Sequence, residues 1–168
     1  MRTSRSVWVS VGLTLIVVCV LSMALPAGAE ELHYKFYTWS PKGERVPVGD
    51  VAGHEVGYML REAFYVFENG EVATAKVVVT IDYVNGDGPF MQYVTITFPD
   101  QSTIVIKSQG TSVGVGSQWT SEILKGTGRF EGIKGTHSAK ATYLRREPGE
   151  GGGKGYGEGT LTYTLPGK

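Results

Sequence analysis

The stretch Gly126-Thr-Gly-Arg-Phe-Glu-Gly-Ile-Lys-Gly135 organises the rest of the chain. It reads as a turn that leaves one strand and starts the next. Its glycines permit positive φ or close backbone approach, which a Cβ would block. Phe130 and Ile133 are three residues apart among Arg129, Glu131 and Lys134. In one tight turn that spacing puts both apolar groups on the same side, where they would plug the end of a sheet. The stretch speaks for a fold before it speaks for any chemistry.

Upstream of the turn the chain alternates. Leu32, Tyr34 and Phe36 interleave with His33, Lys35 and Tyr37, a period of two that marks a strand. Pro41-Lys-Gly43 is expected to end it, and residues 45–53 to form a loop or short edge segment. Further strands are expected at 55–67, 72–84, 90–98, 102–108 and 118–124. Asn69-Gly70 marks a two-residue hairpin turn, and 110–116 a flexible connection. Beyond the turn, strands are expected at 136–146 and 156–165, joined by a Gly-rich loop over 148–155. That makes eight strands with short links and no long helix. Closing such a meander into an antiparallel barrel removes its exposed edges. A two-sheet sandwich is the alternative.

At the N-terminus, Arg2 and Arg5 precede an apolar run from Val7 to Leu25, then Pro26 and Ala27-Gly28-Ala29. A basic start, apolar middle and small-x-small ending describe a secretory signal peptide over 1–29. An uncleaved membrane anchor is the alternative. The expected product is an exported single domain, 30–168. Of 168 residues, 16 are basic and 16 acidic; without Arg2 and Arg5 the remainder is slightly acidic. That surface argues against nucleic acid as a partner, since phosphate binding needs a basic face. The only cysteine, Cys19, lies in the signal. The domain therefore has no disulfide, thiolate metal site or cysteine nucleophile. His33, His54 and His137 show no ligand spacing, so no metal and no cofactor are expected. Gly151-Gly-Gly153-Lys154 lacks the spacing of a phosphate loop.

Residues 55–67 are apolar on both faces: Tyr58, Leu60, Phe64 and Val66 alternate with Met59, Ala63, Tyr65 and Phe67. A strand covered on one side only is polar on the other. With no helix to cover it, the second face implies a homo-oligomer, a dimer or trimer. Inside the barrel, the small residues at 73, 75, 139, 141, 157 and 159 either leave space for a ligand or let the strands coil and close. If they leave space, Met59, Tyr65, Tyr83, Phe90, Tyr143 and Tyr163 line a pocket for a small hydrophobic molecule.

Three side chains are candidates for chemistry. Glu62 sits among apolar neighbours, and burial of that face would raise its pKa and suit it to acid–base work. Arg61 has the opposite parity and would hold a carboxylate. Without a bulge, only one of the two faces the lumen. His137 begins a strand whose face carries Ala139 and Ala141, where it would serve as a base at the pocket mouth.

The pattern Gly126-x-Gly-x-Phe-Glu-Gly-x-x-Gly135 resembles a turn of plant allene oxide cyclases; the related dirigent proteins carry a looser version. Gly49-Asp50 followed by Gly53 and Gly57 is similar to the cyclase segment entering its second strand. Thr97-Phe98-Pro99-Asp100 leading into Ile104-Val105-Ile106 and Gly110 is similar to the central hairpin. Together they span 49–146. The resemblance implies an eight-stranded antiparallel barrel, often trimeric, with a hydrophobic cavity. The cyclases steer ring closure of a fatty-acid epoxide with a carboxylate, an Asn-held water and a nearby Cys. Here Met59 stands at the Cys position, and 33–39 lacks the Glu and Asn. What the resemblance implies is therefore a dirigent-like role: an exported barrel that binds or sterically steers a small hydrophobic molecule. An isomerase or cyclase, and an interaction barrel without ligand, are the alternatives.

Overall fold

The computed structural model describes residues 28–144 and 153–167. The expected signal segment 1–29 falls outside them except for Gly28 and Ala29, as does most of the expected Gly-rich loop. Eight antiparallel strands close into a barrel in sequence order. They are β1 (Glu30–Pro47), β2 (His54–Phe67), β3 (Val72–Val84), β4 (Gly88–Thr97), β5 (Thr103–Val113), β6 (Gly116–Thr127), β7 (Lys134–Tyr143) and β8 (Lys154–Thr164). β1 closes the cylinder by pairing with β8 from Glu30↔Tyr163 to Trp39↔Lys154.

The alternation seen in the sequence becomes an inside and an outside. In β3 every second residue from Ala73 to Tyr83 is buried and the intervening ones are exposed. Partners in register share a face. Tyr34, Phe36, Met59, Ala63, Val94, Ile96, Ile104, Ile106, Trp119 and Leu161 therefore join β3's inner residues in one continuous core.

Two boundaries differ from expectation for local reasons. β1 does not stop at Pro41. The register slips between Trp39 and Lys42, a bulge that takes in the proline, which has no N–H to give to a ladder. Beyond it β1 pairs only with β2, from Lys42↔Leu60 to Pro47↔Glu55. This end of β1 extends the rim beside β2, which stays paired with β3 as far as His54↔Val84. The stretch 110–116 is strand apart from Gly114 and Val115. The turn at 68–70 also has three residues rather than two. The Gly70 N–H donates to the Phe67 carbonyl and only Gly70 has positive φ, the three-residue hairpin with a glycine bulge. The two-residue Asn-Gly turn falls instead at Asn85-Gly86, where both φ values are positive.

The Gly126–Gly135 turn closes one end of the barrel. A single 3-10 turn, Gly128–Phe130, throws Phe130 and Ile133 inward, each 4% exposed. A Cβ on Gly126 would stand 2.3 Å from the Phe130 carbonyl oxygen, so this position requires glycine. Phe130 packs on Phe98 at 4.7 Å between ring centroids, and Phe98 on Phe67 at 5.4 Å. Outside, Arg129 lies over the Phe98 and Phe130 rings and reaches both carboxylate oxygens of Glu71 at 2.7 Å.

Candidate functional site

Above the plug, rings fill the middle of the barrel. Tyr34 meets Tyr65 at 4.7 Å, and Tyr65 stacks on Phe36 at 5.5 Å. The glycines of β8 make room for these rings. A Cβ on Gly157 would lie 2.6 Å from the Phe36 ring, and one on Gly159 2.4 Å from the Tyr34 hydroxyl. The small residues at 157 and 159 therefore seat aromatic side chains and do not leave ligand space at this level.

His137 belongs to this packed middle. It is 4% exposed and stacks parallel to Tyr34 at 5.8 Å. Its Nε2 is hydrogen-bonded to the Tyr34 hydroxyl and its Nδ1 to Ser121 Oγ at 2.7 Å; Ser121 continues to Ser108 at 2.8 Å. Burial pushes its pKa down to about 4, so it is neutral at ordinary pH. It is not the base at a pocket mouth that its place near a strand start suggested. The tilt of β7 carries it inward, and both of its nitrogens are engaged.

The opposite end of the barrel has a different character. Inward positions there are Thr38 and Ser40 on β1, Met59 and Arg61 on β2, Tyr83 on β3, Ser112 on β5, Ser117 on β6, and Ala141 and Tyr143 on β7. Tyr83 Oη, Ser112 Oγ and Ser117 Oγ form a chain with links of 2.9 and 2.6 Å. Burial raises the Tyr83 pKa, while the bond to Ser112 and the Arg61 charge pull it the other way. At the rim, Arg45 lies 5.9 Å over the Tyr83 ring and 3.4 Å from Glu55.

Of the two adjacent charges on β2, Arg61 faces the lumen. Its guanidinium lies 4.5 Å over the Tyr143 ring; Nη1 donates to the Tyr143 hydroxyl and Nη2 to the Met59 sulfur at 3.7 Å. Among the described residues no carboxylate pairs with it. Its Nε is buried without an acceptor, and so is Trp119 Nε1 on β6. Trp119 itself packs between Phe36 and Phe90, 6.0 Å from each. Glu62 points outward and is exposed, opposite Trp39 on β1 and Lys76 on β3. The burial that would have suited it to acid–base work is absent, because the parity that buries Met59 and Ala63 turns residue 62 to the outside.

The six aromatic and thioether candidates divide by height. Met59, Tyr83, Phe90 and Tyr143 belong to the polar end. Tyr65 lies in the ring layer beneath, its pKa raised by burial. Tyr163 lies at the plugged end, where its hydroxyl donates to Glu30 at 2.9 Å and burial raises its pKa to about 12. Trp119, Ser112 and Ser117 are the site residues that sequence reasoning missed. Ser117-x-Trp119 carries the alternation of an inward face, but a flexible reading of 110–116 left it without a register. On the outside, concavities run along the wall of β1 and β5–β8, beside Lys35, Gln118, Lys140 and Glu158. Among the described residues no cluster of His, Cys, Asp and Glu has the form of a metal centre.

These features define the chain as a closed eight-stranded antiparallel barrel, plugged at one end and polar at the other. The protein is similar to a solved dirigent protein, described as the pterocarpan synthase GePTS1. The identity is 17% over 82% of this chain and 92% of that one, with a TM-score of 0.47. No protein-family model matches the chain, and no curated protein matches it.

Proposed function

We propose that the protein binds a small, largely apolar molecule at the polar end of the barrel and fixes its orientation, a dirigent-like steering role. One observation carries the reading. Two buried N–H donors, Arg61 Nε and Trp119 Nε1, lack acceptors on an aromatic inner wall. A buried donor without a partner costs about 1–3 kcal/mol, and a ligand oxygen would relieve it. The isomerase alternative rests on Arg61 alone, as an electrostatic stabiliser of developing charge. His137 is enclosed and Glu62 lies outside. An interaction barrel without ligand is the third reading.

Trp119 supplies the test. In the exported protein with Trp39→Phe, it is the remaining tryptophan. Neutral N-phenyl-1-naphthylamine is expected to change its emission saturably, at one molecule per chain. An absence of saturable binding would sink the reading in favour of the interaction barrel.

The proposed exported form is a homo-oligomer that begins at Glu30; if cleavage fails, the protein stays membrane-anchored. Support for assembly comes from the outer wall of β1–β4. Tyr37, Trp39 and Phe64 form an outward aromatic row with centroid spacings of 6.1 and 5.7 Å, and Leu60, Val78 and Tyr93 continue it across the register. Apolar side chains grouped in this way favour burial against another surface. Native mass spectrometry of protein from its own producer reads both points. A monomer would remove the oligomer proposal, and an intact N-terminus the cleavage.

A further inference from the structure

The proposed binding role leaves open what the polar end recognises, and the chemistry of Arg61 narrows it. Arginine carries its charge at every accessible pH and offers five N–H donors. Among the described residues Arg61 has two acceptors, a phenol and a thioether. A partly buried cation held only by neutral groups lacks the compensation that buried charges normally find in a carboxylate. The deficit has a direction. Nη1 is committed to Tyr143, whereas Nε has no acceptor and Nη2 has only sulfur. Nε and Nη2 form one edge of the guanidinium, the edge that takes a carboxylate through two parallel hydrogen bonds.

The floor of the site limits what can be attached to that carboxylate. Beneath Arg61 the barrel is occupied by Tyr34, Phe36 and Tyr65, with Gly157 and Gly159 already filled by rings. A long alkyl chain has nowhere to descend. The rings of Tyr83, Phe90, Trp119 and Tyr143 offer a flat aromatic body edge and offset contacts, which aromatic pairs favour.

We propose that the ligand is a short aryl carboxylate, with its carboxylate on the Nε–Nη2 edge of Arg61. The inference rests on the binding role proposed above and adds the charge and shape of the ligand. The carboxylate supplies a counter-charge that Arg61 does not find among the described residues, and the aryl body lies against the ring wall.

The test compares 2-naphthoate, 2-naphthamide and decanoate by calorimetric titration of the full exported protein, with N-phenyl-1-naphthylamine as the neutral reference. 2-Naphthoate is expected to bind at least about tenfold more tightly than 2-naphthamide and more tightly than decanoate. Arg61→Met is expected to erase the naphthoate preference, so that naphthoate binds no more tightly than naphthamide. Arg61→Lys keeps the charge without the two-pronged edge and is expected to restore only part of the preference. It also serves as the second variant if Arg61→Met does not fold. Equal affinity for naphthoate and naphthamide, or a preference that survives Arg61→Met, would overturn the proposal. Tighter binding of decanoate would overturn its aryl part. In each of those cases binding of the neutral amine would leave the general binding role standing. If no probe bound, that role would fall as well.

Discussion

The two ends of this barrel are built from the same strands and solve opposite problems. At the plugged end Phe67, Phe98, Phe130 and Ile133 meet ring to ring, and Ile96, Ile104 and Leu161 are wholly buried. At the other end the inward side chains include hydroxyls, one arginine and a thioether, and two N–H donors remain unsatisfied. Stability is therefore concentrated at one end and unspent hydrogen-bonding capacity at the other. The division allows one end to be imperfectly packed without endangering the fold. The sharpest way to break the comparison is to remove a ring at the plugged end. Phe98→Ala is expected to lower unfolding free energy by about 3–5 kcal/mol, the usual loss for a buried ring. Urea unfolding measures it. A loss below about 1 kcal/mol would mean that the plug does not carry the core.

Two of the three histidines extend the contrast to pH. His137 is folded in as a neutral group with a pKa of about 4, against about 6.5 in an unfolded chain. Between those values the unfolded chain binds more protons, so stability rises with pH. It is lost as pH falls from about 6.5 toward 4, by roughly 3 kcal/mol at 1.36 kcal/mol per pKa unit. His137→Gln is expected to flatten that part of the stability profile, measured by urea unfolding at each pH.

His54, at the rim where β2 meets β3, has the opposite sign. Asp82 at 2.7 Å and Asp50 at 2.5 Å raise its pKa. Its contribution is present below about pH 6.5 and is lost as pH rises through the folded value. Because the group is solvated, the effect is expected to be the smaller one. Comparing His54→Gln with the wild type between pH 6 and 9 isolates it: the variant should lose less stability across that range.

The barrel was legible in the sequence because closure depends on alternation, and alternation is local. The inner faces of β3, β4, β7 and β8 follow directly from parity. The Phe130/Ile133 plug was legible for a similar reason, since both residues lie within one turn. The mouth was less legible because it depends on register between distant strands. Nothing local to Ser112 or Trp119 says that one joins Tyr83 and the other remains without an acceptor. The length of β1 was obscured by Pro41, since a bulge is visible only against its partner strand. The role of Gly157 and Gly159 was hidden because the rings they admit belong to β1, more than a hundred residues earlier.

The adjacent pair Arg61 and Glu62 gives the finest test of the comparison. Only about one residue's rise of strand separates them, yet parity puts one in the lumen and the other outside. Glu62 is exposed, and among the described residues no ion pair holds it. Surface substitutions of this kind usually change stability by less than about 0.5 kcal/mol. Glu62→Gln is therefore expected to leave both unfolding free energy and probe binding unchanged, whereas Arg61→Met acts on binding. Because the two substitutions remove opposite charges, a general field effect of β2 would shift binding in opposite directions. An effect of Arg61 alone would instead mark a direct contact inside the barrel. A Glu62→Gln variant that changed naphthoate affinity severalfold would mean that the outer charge reaches the mouth, and the inside–outside division at β2 would no longer explain the site.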